Sequence, residues 1–317
     1  LDLKIGALDT DIKSLKKAAR KTVGPEILNR IEQIKRTGLV ELKDDFKIYL
    51  DRYPIANLSP GKDYLNPELS LVIDDMVESS DQLQLSNYLM NWLNNKIKDD
   101  LKSLIDLKQI KINNPSIRAL AYQLYENNGV IKREDVSNFL NNLGQTERRV
   151  LRELGVKFGR YHIFLYKLFK PNAVSLRIAL WRNYHQKYFQ LKPPKFGLNF
   201  LEHKNPENKN FMLLCGFEKF DQFFVRIDIL ERLFVKIMNS NTENKNEIKL
   251  IPEMLNLLGC SKGSFIKLIQ KMNYKTFEKN DETYFKYAPI KKFNKNYKFK
   301  SNNNDNPFSV LKQMSFK

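Results

Sequence analysis

The chain contains 317 residues, of which 42% are hydrophobic and 12% are aromatic. This length allows about two domains, each large enough to bury a core. Its 54 lysine and arginine residues outnumber 36 acidic residues and give a formal net charge of +18, which favours a polyanionic partner such as a nucleic acid. No run of about 18 apolar residues is present, which argues against a membrane-spanning helix.

The excess charge is concentrated in two segments. Residues 147–210 carry 14 basic and 4 acidic side chains, and residues 286–317 carry 8 and 1. The first 146 residues are neutral overall. Residues 147–210 also contain six of the 14 arginines. The codon bias of an AT-rich genome favours lysine, so it does not explain this excess of arginine. We therefore expect a nucleic-acid contact in this segment.

Residues 1–65 are predicted to form helices followed by a small β-hairpin. Gly24-Pro25 marks a helix break, and Gly38 marks a helix stop. Residues 46–58 alternate between apolar and polar side chains around Asp51-Arg52, as the two strands of a hairpin do.

Helical periodicity dominates residues 66–192. Apolar side chains recur at helical spacing from Ser80 to about Ile110, and further helices are predicted to begin at Pro115 and Pro171. This pattern predicts a mainly α fold, in which residues 66–192 form a helical bundle-like module that carries the basic segment.

Residues 211–287 are predicted to form a smaller α+β module after a linker at 193–210. Three predicted helices precede a hairpin centred on Asn280-Asp281, which is the order of a winged helix-turn-helix. Residues 288–317 interleave lysines with aromatic residues and contain an Asn-rich run, so we expect a basic, disordered tail. The sequence shows no internal repeat of about 20–50 residues.

The sequence contains no motif for catalysis. It lacks the GxxxxGK[ST] loop that holds nucleoside triphosphates and the GxGxxG loop of dinucleotide sites. Residues 71–75 (LVIDD) resemble a Walker B strand faintly, but without a phosphate loop we interpret Asp74 and Asp75 as solvent-facing helix residues. Two distant cysteines and three unclustered histidines predict neither a disulfide scaffold nor a metal site. We therefore expect no enzymatic activity and no cofactor in this chain alone.

The main candidate contacts lie in the segment GVKFGRYHIF, residues 155–164. Its glycines allow a tight backbone path that exposes basic side chains beside aromatic ones. Arginine suits bidentate phosphate contact, and aromatic rings stack on unpaired bases. A lysine at the start of the helix that begins at Pro171, and two lysines on the last predicted helix, extend the set. The candidate nucleic-acid-binding residues are Arg148, Arg152, Lys157, Arg160, Tyr161, His162, Lys170, Arg177, Lys267 and Lys271.

An alternative interpretation gives the same segment a purely structural role. Phe158 and the apolar residues at 163–165 would then form a core, and the basic residues would only be solvated at its rim. The local charge of +10 over residues 147–210 is hard to explain by solvation, which favours the nucleic-acid contact.

The stretch from Glu147 to Trp181, ERRVLRELGVKFGRYHIFLYKLFKPNAVSLRIALW, resembles a helicase family. The family comprises the C-terminal regions of alphaproteobacterial ATP-dependent RNA helicases of the DEAD/DEAH (DExH) type, related to the mitochondrial degradosome helicase of the suppressor-of-Var-three type. The shared pattern is an L-G-V-[KR]-x-G loop, an aromatic-rich turn and K-P-x-A before a helix that ends in L-W. Other similar stretches are PIANLSPG, IRALAYQL, VRIDILERL, LNLLGCS and NPFSVLKQM. Tyr166-Lys167 departs from the pattern, because the family usually has Pro-Ala there.

The resemblance implies that the chain is the C-terminal piece of a longer helicase. Residues 1–65 would join it to a RecA-like core that binds ATP and Mg²⁺ and is absent from this chain. The region would bind or guide single-stranded RNA, or DNA, beside that motor in the bacterial cytoplasm. Its expected partners are the strand, its own helicase core and a ribonuclease, with no membrane. The alternative is a protein-interaction module that docks a ribonuclease or a ribosomal partner, and a stand-alone enzyme is a third possibility that no motif supports.

Overall fold

The structure is a computed structural model that describes most of the chain. Besides isolated helical positions between residues 14 and 29, the described residues are 40–50, 52–72, 79–110, 114–188, 190–202, 209–240 and 247–288. Several predictions lie outside these residues: the helix break at Gly24, the helix stop at Gly38, residues 73–75 of the Walker B-like run and the tail at 289–317.

The fold is an α+β mixture, and the prediction of a mainly α fold is wrong. Of the residues that the structure describes, 51% are helical and 23% are in strands, and these strands form four small antiparallel sheets. Many of the unexpected strands, such as Val130–Lys132 and Val156–Phe158, have three residues, which is too short to show the alternation of a strand. The strand His162–Leu165 is buried at all four positions, so its side chains do not alternate between core and solvent.

The first sheet is a four-stranded meander. Its strands are β1 (Val40–Leu42), β2 (Lys47–Leu50), β3 (Tyr53–Ser59) and β4 (Glu68–Leu71), in that order across the sheet. The predicted hairpin at 46–58 is the central pair, β2 and β3. Its apolar residues share a core with helix α1 (Ser79–Asp100) through Ile48, Leu50, Ile55, Ala56, Leu85 and Leu89. Helix α2 (Lys102–Lys108) follows, so the predicted helix from Ser80 to Ile110 is divided at Leu101.

Unit 1 begins where Asn114 caps a helix by accepting hydrogen bonds from the N–H groups of Ser116 and Ile117. Its elements are α3 (Pro115–Glu126), β5 (Val130–Lys132), α4 (Ser137–Asn141), α5 (Gln145–Glu153), β6 (Val156–Phe158) and β7 (His162–Leu165). Its sheet has the order β5-β7-β6.

Unit 2 follows a short 3₁₀ helix at Tyr166–Phe169. Its elements are α6 (Pro171–Tyr184), a 3₁₀ turn (Gln186–Tyr188), β8 (Phe200–Glu202), α7 (Lys209–Leu214), β9 (Phe217–Phe220) and β10 (Phe223–Arg226). The sheet has the order β8-β10-β9. Strand β8 lies in the predicted linker at 193–210 and pairs with β10 of the predicted second module.

Unit 3 repeats the element order of unit 1. Its elements are α8 (Ile227–Asn239), β11 (Glu247–Lys249), α9 (Pro252–Leu258), α10 (Lys262–Lys271), β12 (Tyr274–Lys279) and β13 (Glu282–Tyr287). The sheet order β11-β13-β12 again places the last strand between the other two. The β12–β13 turn at Asn280-Asp281, with φ of 49° and 60°, lies where the sequence predicts a hairpin. The assignment as a winged helix stays a prediction.

Two of the hydrophobic cores determine how the units are arranged. The larger one joins α1, α2, unit 1 and α6, whereas unit 3 encloses a core of its own with β10. The hairpin of β6 and β7 lies between these cores, since Phe158 packs on the first and Tyr161 on the second. This hairpin carries four of the ten predicted nucleic-acid contacts, Lys157, Arg160, Tyr161 and His162.

Candidate nucleic-acid interface

Two glycines shape the hairpin of β6 and β7. Gly155 follows α5 with a φ of 92°, a left-handed conformation that turns the chain into β6. Gly159 lies in the hairpin loop, where a Cβ atom would be 2.3 Å from the carboxyl carbon of Glu231. The absence of a side chain at Gly159 therefore allows the loop to approach that carboxylate.

The carboxylate of Glu231, on α8, fixes the hairpin loop. Its Oε2 accepts a hydrogen bond from the backbone N–H of Arg160 at 2.5 Å. Its Oε1 accepts hydrogen bonds from the N–H groups of Tyr161 and His162, each at 2.8 Å. Burial alone would raise the pKa of Glu231, but the nearby His162 ring and the hydrogen bonds from the three backbone N–H groups lower it. The loop is thus held by a charged group from unit 3.

His162 lies beneath the loop between two buried carboxylates. Its Nε2 is 2.9 Å from Oε2 of Glu218, and its Nδ1 is 3.6 Å from Oε1 of Glu231. Oε1 of Glu218 also forms an ion pair with Nζ of Lys132 at 2.9 Å. Burial disfavours the charged imidazole, but the hydrogen bond to Glu218 and the nearby carboxylate of Glu231 outweigh it and raise the pKa of His162. The pKa of Glu218 is lowered, because hydrogen bonds from His162 and Lys132 outweigh the effect of burial.

Four cations on α5 and on the β6–β7 hairpin form a set that we call the basic face: Arg148, Arg152, Lys157 and Arg160. Arg152, Lys157 and Arg160 are exposed, and Arg148 is half-buried. Within the part of the chain that the structure describes, none of the four forms an ion pair with a carboxylate, whereas the neighbouring Arg149 pairs with Glu153 at 3.2 Å. Unpaired exposed cations of this kind are able to contact phosphate groups.

Each cation of the basic face lies near an aromatic ring. The guanidinium carbons of Arg148 and Arg152 are 6.0 and 5.7 Å from the ring centre of Phe158. Nζ of Lys157 is 5.2 Å from the ring centre of Tyr166, which is 42% exposed. The guanidinium carbon of Arg160 is 5.7 Å from the ring centre of Phe234. These contacts orient the cations without neutralising their charge.

Two cavities open beside the basic face and share Arg148. The first, which we call cavity A, has a volume of about 430 Å³ and contains Arg148 and Arg160 in its wall. The second, cavity B, has a volume of about 680 Å³ and is lined by residues 143–146 with Arg148, Arg149 and Arg152. Arginine side chains therefore extend continuously from one cavity to the other.

The structure buries two of the predicted contact residues. His162 is 2% exposed and belongs to the network under the loop. Arg177 is fully buried, and its Nη1 and Nη2 donate hydrogen bonds to the carbonyl oxygens of Asn128 and Leu214 at 2.8 and 2.6 Å. Burial lowers the pKa of Arg177 to about 10. Neither side chain is placed to reach a phosphate from solvent, so neither belongs to the basic face.

The other predicted residues occupy different surfaces. Tyr161 is half-buried, with its ring edge-on to Phe234 at 5.5 Å. Lys170 is exposed at the start of α6 and borders a separate cavity of about 370 Å³ with Asp99 and Asp100. On α10, Lys267 is exposed, and Lys271 pairs with Asp221 at 2.8 Å. Of the predicted cations, Arg148 thus shares one cavity wall with Arg160 and another with Arg152, and Lys157 lies on the neighbouring strand β6 beside Tyr166.

Comparison with known proteins identifies no relative: no family model, no curated protein and no solved structure matches the chain. The resemblance to helicase C-terminal regions therefore stays a prediction. Among the residues that the structure describes, no helix is long and apolar enough to cross a bilayer. The same residues include no group of three or more His, Cys, Asp or Glu side chains placed to hold a metal ion.

Sequence reasoning missed the residues that support the interface from beneath. Lys132, Glu218 and Glu231 belong to units 1, 2 and 3, and nothing in their local sequence indicates that they meet at His162. Arg133 was also missed, although its Nη1 donates a hydrogen bond to the carbonyl oxygen of Gly159 at 2.8 Å. Only the run Gly159 to His162 carried a signal, because a glycine before a basic and aromatic stretch indicates a tight, exposed turn.

Proposed function

We propose that this chain binds single-stranded RNA through the basic face. The observation that carries the proposal is the set of four cations, Arg148, Arg152, Lys157 and Arg160, none of which is ion-paired among the described residues. Residues 147–210 hold a net charge of +10, so the face lies in the main concentration of positive charge along the chain. Nucleic-acid phosphates are the polyanion that such a face fits best.

The chemistry of the face suits a single strand better than a duplex. Guanidinium groups contact phosphates in a bidentate manner, and the exposed ring of Tyr166 offers a surface on which an unpaired base stacks. No recognition helix is needed for this mode, because the contacts follow the backbone and the base faces rather than a groove.

The resemblance to helicase C-terminal regions supports a wider proposal. The chain would act as an accessory region that guides single-stranded RNA beside a RecA-like motor, which would bind ATP and Mg²⁺ elsewhere in the parent protein. The catalytic activity would then belong to that motor, and the site of action would be the bacterial cytoplasm. The region's partners would be the strand, its own helicase core and a ribonuclease.

The test uses the full chain and a fluorescent oligouridylate with hydroxyl groups at both ends. Replacing three exposed cations, Arg152→Gln, Lys157→Gln and Arg160→Gln, should weaken binding at least about tenfold. The salt dependence should also fall, by about 2 in the slope of log K against log salt, since each phosphate contact with a single strand contributes about 0.7. A DNA oligomer of the same length tests whether the strand is RNA or DNA.

The matched control removes the same charge from another part of the surface, with Lys98→Gln, Lys102→Gln and Lys262→Gln, all exposed. It should retain most of the affinity. If the two triple variants lose affinity equally, binding reflects net charge alone and the basic face has no special part in it. Affinity that is unchanged in the first triple variant would refute the proposal.

A second function, docking of a protein, is favoured by a groove of about 440 Å³ beside unit 2. Phe196 and Leu198 lie along it, 57% and 40% exposed, next to Pro193 and Pro194. Exposed apolar side chains of this kind mark protein-interaction surfaces. A complex with a purified ribonuclease or ribosome that survives nuclease treatment and is lost on Phe196→Ser would favour this alternative.

A further inference from the structure

Cavity A lies where units 1 and 2 meet, at the end of the basic face. Its wall is formed by the end of β5 and the turn after it, α4, Arg148 of α5, the β6–β7 loop and β9. Its volume of about 430 Å³ falls within the range of about 300–1,000 Å³ that is usual for small-molecule sites. The buried side chains of His162 and Glu218 form part of the wall of this recess.

The charge of the recess is positive although it contains carboxylates. Apart from His162, its wall carries four cations and two carboxylates: Lys132, Arg133, Arg148, Arg160, Glu134 and Glu218. Glu218 already binds Lys132 and His162 through its two oxygens. The three arginines therefore outnumber the one carboxylate that remains, Glu134, and an incoming anion meets a net positive charge.

Two of these arginines are held in place before any ligand arrives. Arg133 donates from Nη1 to the carbonyl oxygen of Gly159, and Arg148 donates from Nε and Nη2 to the carbonyl oxygens of Leu143 and Leu140 at 3.2 and 3.1 Å. A guanidinium has five N–H donors, so each arginine keeps donors for a ligand. Side chains that are ordered in advance lose less entropy on binding.

The rest of the wall suits a nucleoside. Tyr161 and Phe220 supply aromatic surface, and Ser137 and Asn141 supply hydrogen-bonding groups. A phosphomonoester carries about −1.5 to −2 charges at neutral pH, whereas an internal phosphodiester carries about −1. The excess of arginine therefore fits the phosphomonoester at the end of a strand better than a phosphodiester in its middle.

We propose that cavity A binds a terminal nucleotide that carries a phosphomonoester, with Arg148 and Arg160 contacting the phosphate and Tyr161 and Phe220 contacting the base. This inference rests on the proposed function, because it places the end of the strand beside the basic face that binds the interior. It assigns to this chain a preference for phosphorylated RNA ends.

The first experiment measures binding of adenosine 5′-monophosphate, adenosine and inorganic phosphate to the full chain by calorimetry. We expect the nucleotide to bind at least about tenfold more tightly than either fragment, since only the nucleotide contacts both the arginines and the aromatic wall. Ser137→Trp and Asn141→Trp, at exposed positions on the rim, should each weaken nucleotide binding at least about tenfold by filling the recess. The control Ser175→Trp, exposed on α6, should leave it unchanged.

The second experiment compares oligouridylates with a 5′-phosphate, a 3′-phosphate or no terminal phosphate. A phosphate at one end should increase affinity by at least about threefold, and Ser137→Trp should abolish that gain. Nucleotide binding with no affinity for any oligomer would refute the RNA-binding function and keep the nucleotide site. Two results would overturn the assignment of cavity A, each together with oligomer binding that does not depend on a terminal phosphate. One is that the nucleotide does not bind; the other is that it binds equally well to the Ser137→Trp and Asn141→Trp variants.

Discussion

Units 1 and 3 have the same order of helices and strands, but their hairpins are held by different means. In unit 3, β12 and β13 have six residues each, pair along their whole length and bury Tyr274 and Phe285 in the core of the unit. In unit 1, β6 and β7 have three and four residues. The loop between them is held by Glu231 from α8, and His162 beneath it is bound by Glu218 from β9. The shorter hairpin therefore depends on residues outside its own unit.

The surface charges of the two units differ in a related way. In unit 3, Lys249 pairs with Glu282 and Lys279 pairs with Glu247. Residues 211–285 carry 11 basic and 10 acidic side chains, so this part of the chain is almost neutral. In unit 1, the carboxylates that bind the hairpin lie beneath it, which leaves the basic face without acidic partners among the described residues. The comparison suggests that one network both fixes the hairpin and allows its outer surface to remain cationic.

The largest expected effect on stability comes from removing the carboxylate of Glu231, which belongs to unit 3 but holds the hairpin of unit 1. Glu231→Ala should lower the free energy of unfolding by about 3–5 kcal/mol, because three backbone N–H groups lose their buried acceptor and His162 loses a nearby carboxylate. Urea denaturation measures this change. Glu231→Gln keeps the size and one acceptor oxygen, so its loss should be smaller. A loss below about 1 kcal/mol in the alanine variant, as in an exposed pair, would show that the hairpin does not depend on unit 3.

A smaller effect is expected from crowding the same contact. In Gly159→Ala, the new Cβ would lie 2.3 Å from the carboxyl carbon of Glu231, so the loop must move away. We expect a loss of about 1–3 kcal/mol in the free energy of unfolding. Gly263, in α10 of unit 3, is the matched control because its Cβ would meet no atom closer than 4.0 Å. Gly263→Ala should stabilise the protein by about 0.5–1 kcal/mol, and equal signs for the two variants would contradict the comparison.

The stability of the protein should also depend on pH through His162, Glu218 and Glu231. The pKa of His162 is raised above its ordinary value of 6.5, so its contribution to stability is full below that value and is lost as pH rises through the pKa of the folded state. The pKa values of Glu218 and Glu231 are lowered below 4.5, so their contribution is full above that value and is lost as pH falls through their folded-state values. Together these shifts predict greatest stability between pH 4.5 and 6.5.

Urea titrations across this range, with the wild type and His162→Gln, test the pH prediction. The variant should lack the fall in stability on the alkaline side, because it has no imidazolium to lose. The same alkaline fall in both proteins would mean that a group other than His162 causes it.

The helices were more predictable than the strands, for reasons that individual residues show. Pro115 and Pro171 begin helices α3 and α6 as predicted, because a proline at the first helical position has a fixed φ and lacks only an N–H that would be unbonded there. Strands β5 and β6, of three residues each, are too short for a pattern. The sequence also shows no repeat, although units 1 and 3 share an order of elements, since such an order does not require similar residues.

The basic face was predictable in part because charge can be counted along a chain. Lys157 and Arg160 were selected from a local excess of basic residues, and both are exposed. Burial of Arg177 was not predictable, because its acceptors, the carbonyl oxygens of Asn128 and Leu214, are distant in sequence and no residue type identifies them. Glu218 and Glu231 were missed for the same reason, since their partner His162 belongs to another unit.

The smallest expected effect comes from unit 3. Its surface pair, Lys279 and Glu247, is exposed to solvent, and ion pairs of this kind contribute about 0–1 kcal/mol and are screened by salt. Lys279→Ala should therefore change the free energy of unfolding by less than about 1 kcal/mol, and the change should vanish in about 1 M salt, where the screening length is about 3 Å. The effect of Glu231→Ala in unit 1 should persist in the same salt, because buried charges are screened much less. If salt removed both effects equally, Glu231 would behave as a surface group, and the two hairpins would not differ in the way that holds them.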